Sequence, residues 1–402
     1  MTSTSDPAGD RKLRMALIGG GGAGFFGRIH ALAAELDQRA ELVAGAFSSD
    51  PEKSRLAAAT FGVAADRGYG SYRELIESER RLPADQRIDF LTIATPNHTH
   101  FEIAQAALEA GFHVVCEKPL TNDVDQARNL ADRVAQTGAV FAVAHGYSGY
   151  PLVRQAREMI AAGELGQVLA ARVTYLQGGK WSVEPGRKPS RAAWKGDPAQ
   201  AGPSGTLADI GTHAFHLLRY TTGLQPESLC AALAQFHPGR PLDDYGQIDL
   251  RCGGGSLATI AVSQVTHGRL NDLSLEVDGT RGSLVWRQME PDQLVVRRHN
   301  QPVQIYERNQ RTAYSETVRA RCRLPGGHPE GFLEALANVY RETFDAIIRG
   351  AGGRKTALAA RNYPTVEDGL EGVYFVHLCL ASHAEAGGWK PWQLADGEGP
   401  TD

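Results

Sequence analysis

The sequence predicts an α/β chain whose first half is a doubly wound parallel sheet and whose second half is α+β, built on an antiparallel sheet. Two observations predict it. From Leu13 to about residue 145, short apolar runs alternate with amphipathic stretches of helical period, the rhythm of parallel strands joined by crossover helices. Beyond residue 166, strand-like runs follow one another across Gly, Asp and Asn turns with no helix-length stretch between the later ones, and such adjacency favours antiparallel pairing.

The strands of the first half read as RMALIGG, AELVAGAFS, IDFLTIATP, FHVVCEKP and AVFAVAH. Between them HFEIAQAALEAG and VDQARNLADRVAQTG repeat apolar residues at helical spacing and stop at glycine. PLVRQAREMIAAGELG reads as a helix closing on Gly163 and Gly166, beyond which the rhythm changes. Residues 167–178, 226–237, 245–265 and 272–297 then read as strands, with helices at HAFHLLRYTTG and GFLEALANVYRETFDAIIRG. GLEGVYFVHLCLASHAEAG is expected to pack back against the first domain. The organisation expected is a disordered leader (1–12), a dinucleotide-binding domain (13–150), a second domain (151–385) and a tail (386–402).

The bulk numbers narrow the partners. A net charge of -4 with no dense Lys/Arg block gives no electrostatic reason to expect nucleic acid or an anionic membrane, and leaves a small molecule. Five scattered cysteines form no CxxC pair, so neither a disulfide framework nor a metal site is expected. The first residues lack the apolar core of a signal peptide and no run has bilayer length, so a cytoplasmic protein is expected.

After the first strand comes IGGGGAGFFGRIHALAAEL, where two GxGxxG registers fit: Gly19, Gly21, Gly24, or Gly22, Gly24, Gly27. Glycines there let the backbone approach a pyrophosphate, which the following helix, opening at Phe25 and Phe26, would hold at its amino end. At the second strand's end, where an acid would bind the adenosine ribose, stand Ser48 and Ser49, with Asp50 next. Serine leaves room for a 2'-phosphate that Lys53 or Arg55 would pair with, so NAD and NADP both stay open; Asp50 equally suits a helix cap.

Ligands of open parallel sheets bind beyond the carboxyl ends of the strands, where ATPNHTH (94–100) and CEKP (116–119) fall. Thr95, Pro96, Asn97, His100, Glu117 and Lys118 are therefore the remaining expected cofactor contacts. Proline after Lys118 keeps that residue off a helix, so the chain itself aims its ammonium. His98 and His100 have no Cys or carboxylate at zinc spacing.

With GRIH (27–30), TPNHTH (95–100), CEKP and DIGTH (209–213) in this order, the sequence resembles the glucose-fructose oxidoreductase, inositol dehydrogenase and rhizopine catabolism (Gfo/Idh/MocA) family over nearly the whole chain. The resemblance implies a Rossmann domain, a second domain on a large open antiparallel sheet that binds substrate, and a homodimer or homotetramer. It further implies that Lys118 is the active-site lysine and that Asp209 and His213 are its paired acid and histidine. Read from the residues, Asp209 and His213 are four apart at a helix start and share a face; histidine suits proton transfer near neutral pH, and a carboxylate can orient it. The alternative is a capping Asp209 above a packed His213. His216 stands where many members carry an acid. Tyr147, Trp194, Lys195 and His328 are expected further substrate contacts.

The function expected is an NAD(P)-dependent dehydrogenase of a sugar, sugar derivative or cyclitol. Two alternatives are a glycosidase that keeps NAD bound and oxidises its sugar transiently, and a nucleotide sensor without turnover.

Overall fold

The computed structural model describes residues 11–21, 25–179, 193–308, 314–353 and 358–394. The first sheet comprises β1 (Leu13–Gly19), β2 (Ala40–Ala46), β3 (Phe90–Ala94), β4 (His113–Cys116) and β5 (Phe141–Val143), all parallel in the order β2-β1-β3-β4-β5. These strands are almost continuously apolar because helices cover both faces. The order reverses direction at β1, so the strands on either side of it part beyond their carboxyl ends and leave a crevice there.

The second sheet has nine strands: β6 (Val168–Leu176), β7 (Pro226–Ala234), β8 (Tyr245–Cys252), β9 (Leu257–Ser263), β10 (Asp272–Gly279), β11 (Gly282–Arg287), β12 (Gln293–Arg298), β13 (Gln304–Glu307) and β14 (Lys390–Pro391). Their order is β13-β12-β11-β10-β6-β9-β8-β7-β14. Residues read from sequence as one strand at 245–265 divide at Gly253–Gly255, and 272–297 divide into three. Pairing is antiparallel throughout except between β6 and β9. Along β6 and β9 Ala171, Val173, Tyr175, Ala258, Ile260 and Val262 point to the buried face, where helices Pro151–Ala161 and Thr212–Thr222 pack. Each such aliphatic side chain of Val or Ile size contributes on the order of 1.5–3 kcal/mol on burial.

Two late helices cross back to the first domain. Helix Val366–Ala384 places Val366 and Val373 in the first core and Phe375, Val376 and Cys379 in the second, as expected. Helix Phe332–Ile348, which the sequence reading gave to the second domain, inserts Leu336, Ala337, Tyr340 and Phe344 against Leu13, Met15, Leu17 and Phe90. The expected tail also differs, since Lys390–Pro391 pairs with β7. Of the expected leader only Arg11 and Lys12 are described, and Arg11 makes two hydrogen bonds of 2.6–2.7 Å to Asp89; residues 1–10 lie outside the described residues.

Candidate active site

Of the glycines in the two expected registers, Gly19, Gly21 and Gly27 are described, and Gly20 joins them. Gly20 has φ +76°, and a Cβ there would stand 2.5 Å from the Cα of Gly27, so this turn and the helix Phe25–Glu35 touch through two residues that must lack side chains. A Cβ on Gly21 would stand 2.3 Å from the Phe47 carbonyl, to which the Gly21 amide donates at 2.8 Å. The tight turn thus belongs to Gly19–Gly21 and the helix contact to Gly27; Gly22 and Gly24 lie outside the described residues, as does the Phe25 side chain. A backbone stripped of side chains beneath a helix start is the cradle a dinucleotide pyrophosphate requires.

At the adenosine end Asp50 caps the helix Pro51–Ala58, accepting from the amides of Glu52 and Lys53. Lys53 Nζ lies 3.0 Å from Asp50 Oδ2, and Arg55 is bound to Glu74 at 3.0 Å. Both cations that a 2'-phosphate would need are therefore engaged with carboxylates.

At the end of β4, Glu117 accepts or shares a hydrogen bond with His30 Nε2 at 3.0 Å, while His30 Nδ1 meets the Tyr340 hydroxyl at 2.8 Å and that hydroxyl meets Thr92 at 3.0 Å. Burial opposes charge on Glu117, but the bond to His30 and the nearby Lys118 outweigh it and bring its pKa down to about 2. The Lys118–Pro119 peptide is cis. His100 is fully buried between the two strand-end loops, its ring nitrogens 2.9 Å from the Pro119 carbonyl and 3.0 Å from the Thr95 carbonyl, to one of which the neutral ring donates, and it is not among the residues lining the crevice.

Asp209 comes from a π-helical turn, Leu207–Gly211, that runs straight into helix Thr212–Thr222. Such turns widen a helix and recur at functional sites. The buried Asp243 holds its approach, accepting from the amides of Gly205 and Leu207, both at 2.8 Å, and from the Ser204 hydroxyl. Lys118 Nζ donates to the Asp209 carbonyl (2.6 Å) and to Oδ1 (2.9 Å), Lys195 Nζ donates to the same Oδ1 (2.8 Å), and Gln264 donates to Oδ2 (2.9 Å). Among the described hydrogen bonds His213 is held by His145, Nδ1 to Nδ1 at 3.2 Å, and not by Asp209, which corrects the expected acid–histidine pair. The Tyr147 ring stands edge-on to His213 at 5.0 Å, and its hydroxyl joins Tyr175 (2.5 Å) and Asn271 (2.9 Å). Burial, then the Lys118 charge, pushes the His213 pKa well below its ordinary value. His216, expected in place of an acid, is buried beneath His145 with its pKa brought down to about 4, chiefly by burial.

A crevice of about 630 Å³ runs between the glycine turn and Asp209. It is lined by Gly21, Phe26, Ser49, Thr95, Pro96, Asn97, Glu117, Lys118, Trp194, Lys195 and Asp209 among the expected residues. His213 and Tyr147 sit behind that wall, and Ser48 and Lys53 are not part of it. His328 is exposed in a turn where its carbonyl accepts from Arg308, so it is not one of the wall residues. Sequence reasoning gave no role to His30, Tyr340, His145 or Gln264. The strand-end rule that selected CEKP would have found His145, which follows β5, whereas nothing local to Tyr340 or Gln264 signals the site. No group of three or more His, Cys, Asp or Glu side chains among the described residues is placed to hold a metal ion.

Residues 13–145 match the family model described as an oxidoreductase family, NAD-binding Rossmann fold, and residues 153–285 match the GFO/IDH/MocA C-terminal domain. The chain is 31% identical over 385 residues to the uncharacterized oxidoreductase YfiI of Bacillus subtilis, covering 94% of this chain and 96% of that one. It is 32% identical over 316 residues to levoglucosan dehydrogenase of Pseudarthrobacter phenanthrenivorans, covering 71% and 76%. Among solved structures, an inositol dehydrogenase homolog from Azotobacter vinelandii complexed with NAD+ superposes with a TM-score of 0.88 at 36% identity, covering 95% of this chain and 98% of that one. No helix of the described residues is long and apolar enough to cross a membrane. With both domain models matched in order and relatives aligned along nearly their full length, the chain belongs to the Gfo/Idh/MocA family of oxidoreductases and carries its NAD-binding Rossmann domain.

Proposed function

We propose that the chain is a dehydrogenase oxidising a secondary hydroxyl of a sugar, sugar derivative or cyclitol, or running the reverse reduction. The observation that carries this reading is the meeting of Lys118, from the first domain, with Asp209, from the second, in the crevice that also holds the glycine turn. Relatives named levoglucosan dehydrogenase and inositol 2-dehydrogenase, and neighbours solved with NADH and myo-inositol or levoglucosan, support the substrate class.

A bound nicotinamide would supply hydride chemistry. Lys118 donates to the substrate oxygen and stabilises its alkoxide character, and Asp209 fixes the direction of that ammonium. Their side chains are only 10% and 17% exposed, so water screens the pair little. His213, kept neutral by burial, takes the hydroxyl proton. Trp194 and Lys195 present an aromatic face and a polar tip to the substrate from the crevice wall, with Tyr147 behind. NAD is favoured over NADP because Lys53 and Arg55 are already paired and Asp50 would repel a 2'-phosphate. The reading includes a cytoplasmic homodimer or homotetramer, which light scattering would test.

The deciding experiment follows absorbance of reduced nicotinamide while the protein meets a panel of sugars, cyclitols and aryl glycosides, with NAD and NADP supplied separately. Net reduction with one polyol is the expected result. Aglycone release without net reduction would transfer the assignment to an oxidoreductive glycosidase, and cofactor binding with no turnover of any compound would overturn it.

A further inference from the structure

We propose that His145 is the positioning residue that decides which nitrogen of His213 is free to take the substrate proton. The inference rests on His213 being the base.

The geometry leaves little choice of partner. The two Nδ1 atoms lie 3.2 Å apart and the rings meet edge to face at 82°. His145 itself is fixed on several sides: its ring stacks on His216 at 4.4 Å and 8°, its amide donates to Val143 at 2.7 Å, and its carbonyl accepts from the Ser148 hydroxyl at 2.9 Å. Its exposure is 1% and that of His213 is 8%. A hydrogen bond between two imidazole nitrogens requires a proton on one and a lone pair on the other, and the bond made at one ring nitrogen dictates the state of the second. If His213 carries its proton on Nδ1, its Nε2 is bare and can accept the hydroxyl proton, while His145 must carry its own on Nε2. The reverse arrangement puts a proton on His213 Nε2 and disables the base.

The pair is unlike a histidine held by a carboxylate, because both partners are uncharged. Burial, together with Lys118 and His216, disfavours a proton on either ring, and His213 adds to the effect on His145, while Glu117 and Asp209 act on His213 in the opposite sense. When His213 accepts a proton at Nε2, its Nδ1–H donates to the His145 lone pair, so the positive charge formed is met by a neutral acceptor. No other co-reactant enters.

The test uses the full chain labelled with 15N-histidine. Two-bond proton–nitrogen correlation at neutral pH is expected to show His213 protonated at Nδ1 and His145 at Nε2; the opposite assignment would overturn the proposal. In kinetics, His145→Phe removes the acceptor and is expected to lower kcat on the order of 10²-fold, at the lower end of what a positioned base contributes, with the cofactor dissociation constant unchanged. His145→Asn, whose amide oxygen can accept at a similar place, is expected to recover most of that loss. Unchanged kcat and an unchanged pH profile in a folded His145→Phe protein would also overturn it. Should that variant not fold, the spectrum of the unaltered protein and His145→Asn decide. Turnover that survives replacement of His213 would instead remove the base assignment, which the tautomer measurement keeps distinguishable.

Discussion

Two histidines flank the Glu117–Lys118 pair, and they are held in opposite ways. His30 bonds a carboxylate, Glu117, through one nitrogen and the Tyr340 hydroxyl through the other. His213 bonds only a second buried imidazole among the described contacts. The first arrangement keeps a charge in place, seen in a Glu117 pKa brought down to about 2. The second keeps charge out, seen in the depressed pKa values of His145, His213 and His216. The crevice therefore has an ionised carboxylate on one side and an uncharged histidine cluster buried behind the other, and environment rather than residue type assigns the roles.

The strongest attack on this contrast is Lys118→Ala. It removes the cation between the two walls and is expected to lower kcat by about 10²–10³-fold, as loss of one preorganised donor does, while cofactor binding measured by fluorescence titration persists. Next comes His30→Ala, which strands Glu117 and Tyr340 without a shared partner. Urea denaturation should show a loss of about 1–3 kcal/mol, the penalty for leaving a buried polar group unsatisfied.

Acid titration separates the walls. His213 folded binds protons less readily than unfolded, so the unfolded state takes up more protons below the ordinary histidine value of 6.5, and stability falls as pH drops through that point. His145 and His216 act with the same sign. Glu117 contributes stability that is complete above the ordinary 4.5 and is lost as pH falls towards about 2. Stability measured against pH should therefore decline in two windows. Replacing His216 by Phe should weaken the decline below 6.5 and leave the lower window intact; an unaltered upper window would break the contrast. The depressed His213 value also predicts that kcat/KM holds down to below pH 6.5 before its acid limb. The smallest effect is expected from His328→Ala, whose exposed ring is outside the crevice wall: substrate KM should not change.

Much of this was legible in the chain. The five parallel strands, the strand-end position of Lys118 and the helix after Asp209 all follow from apolar periodicity and turn residues, which are local signals. The contact between Gly20 and Gly27 was not, because it depends on how the turn folds back onto the helix start, which the spacing of glycines alone leaves open. Spacing also misleads at Asp209: on a regular helix it pairs with His213, but the residue sits in a π-helical turn, and Lys118 from the first domain and Lys195 from the preceding loop take its carboxylate instead. Nor could adjacency predict the place of β6, since it pairs parallel with β9 and antiparallel with β10, both far along the chain, while β14 returns from the chain's end to β7.

Tyr340 carries a consequence for how this molecule is made. The helix Phe332–Ile348 covers one face of the first sheet and reaches His30, so the nucleotide-binding half exits the ribosome long before the segment that seals it. During that interval Leu13, Leu17 and Phe90 lack their cover, and at about 5–20 residues per second the wait lasts on the order of ten seconds or more. A fragment ending near residue 150 should accordingly be captured by chaperones or aggregate, and supplying the late helix in trans should rescue it.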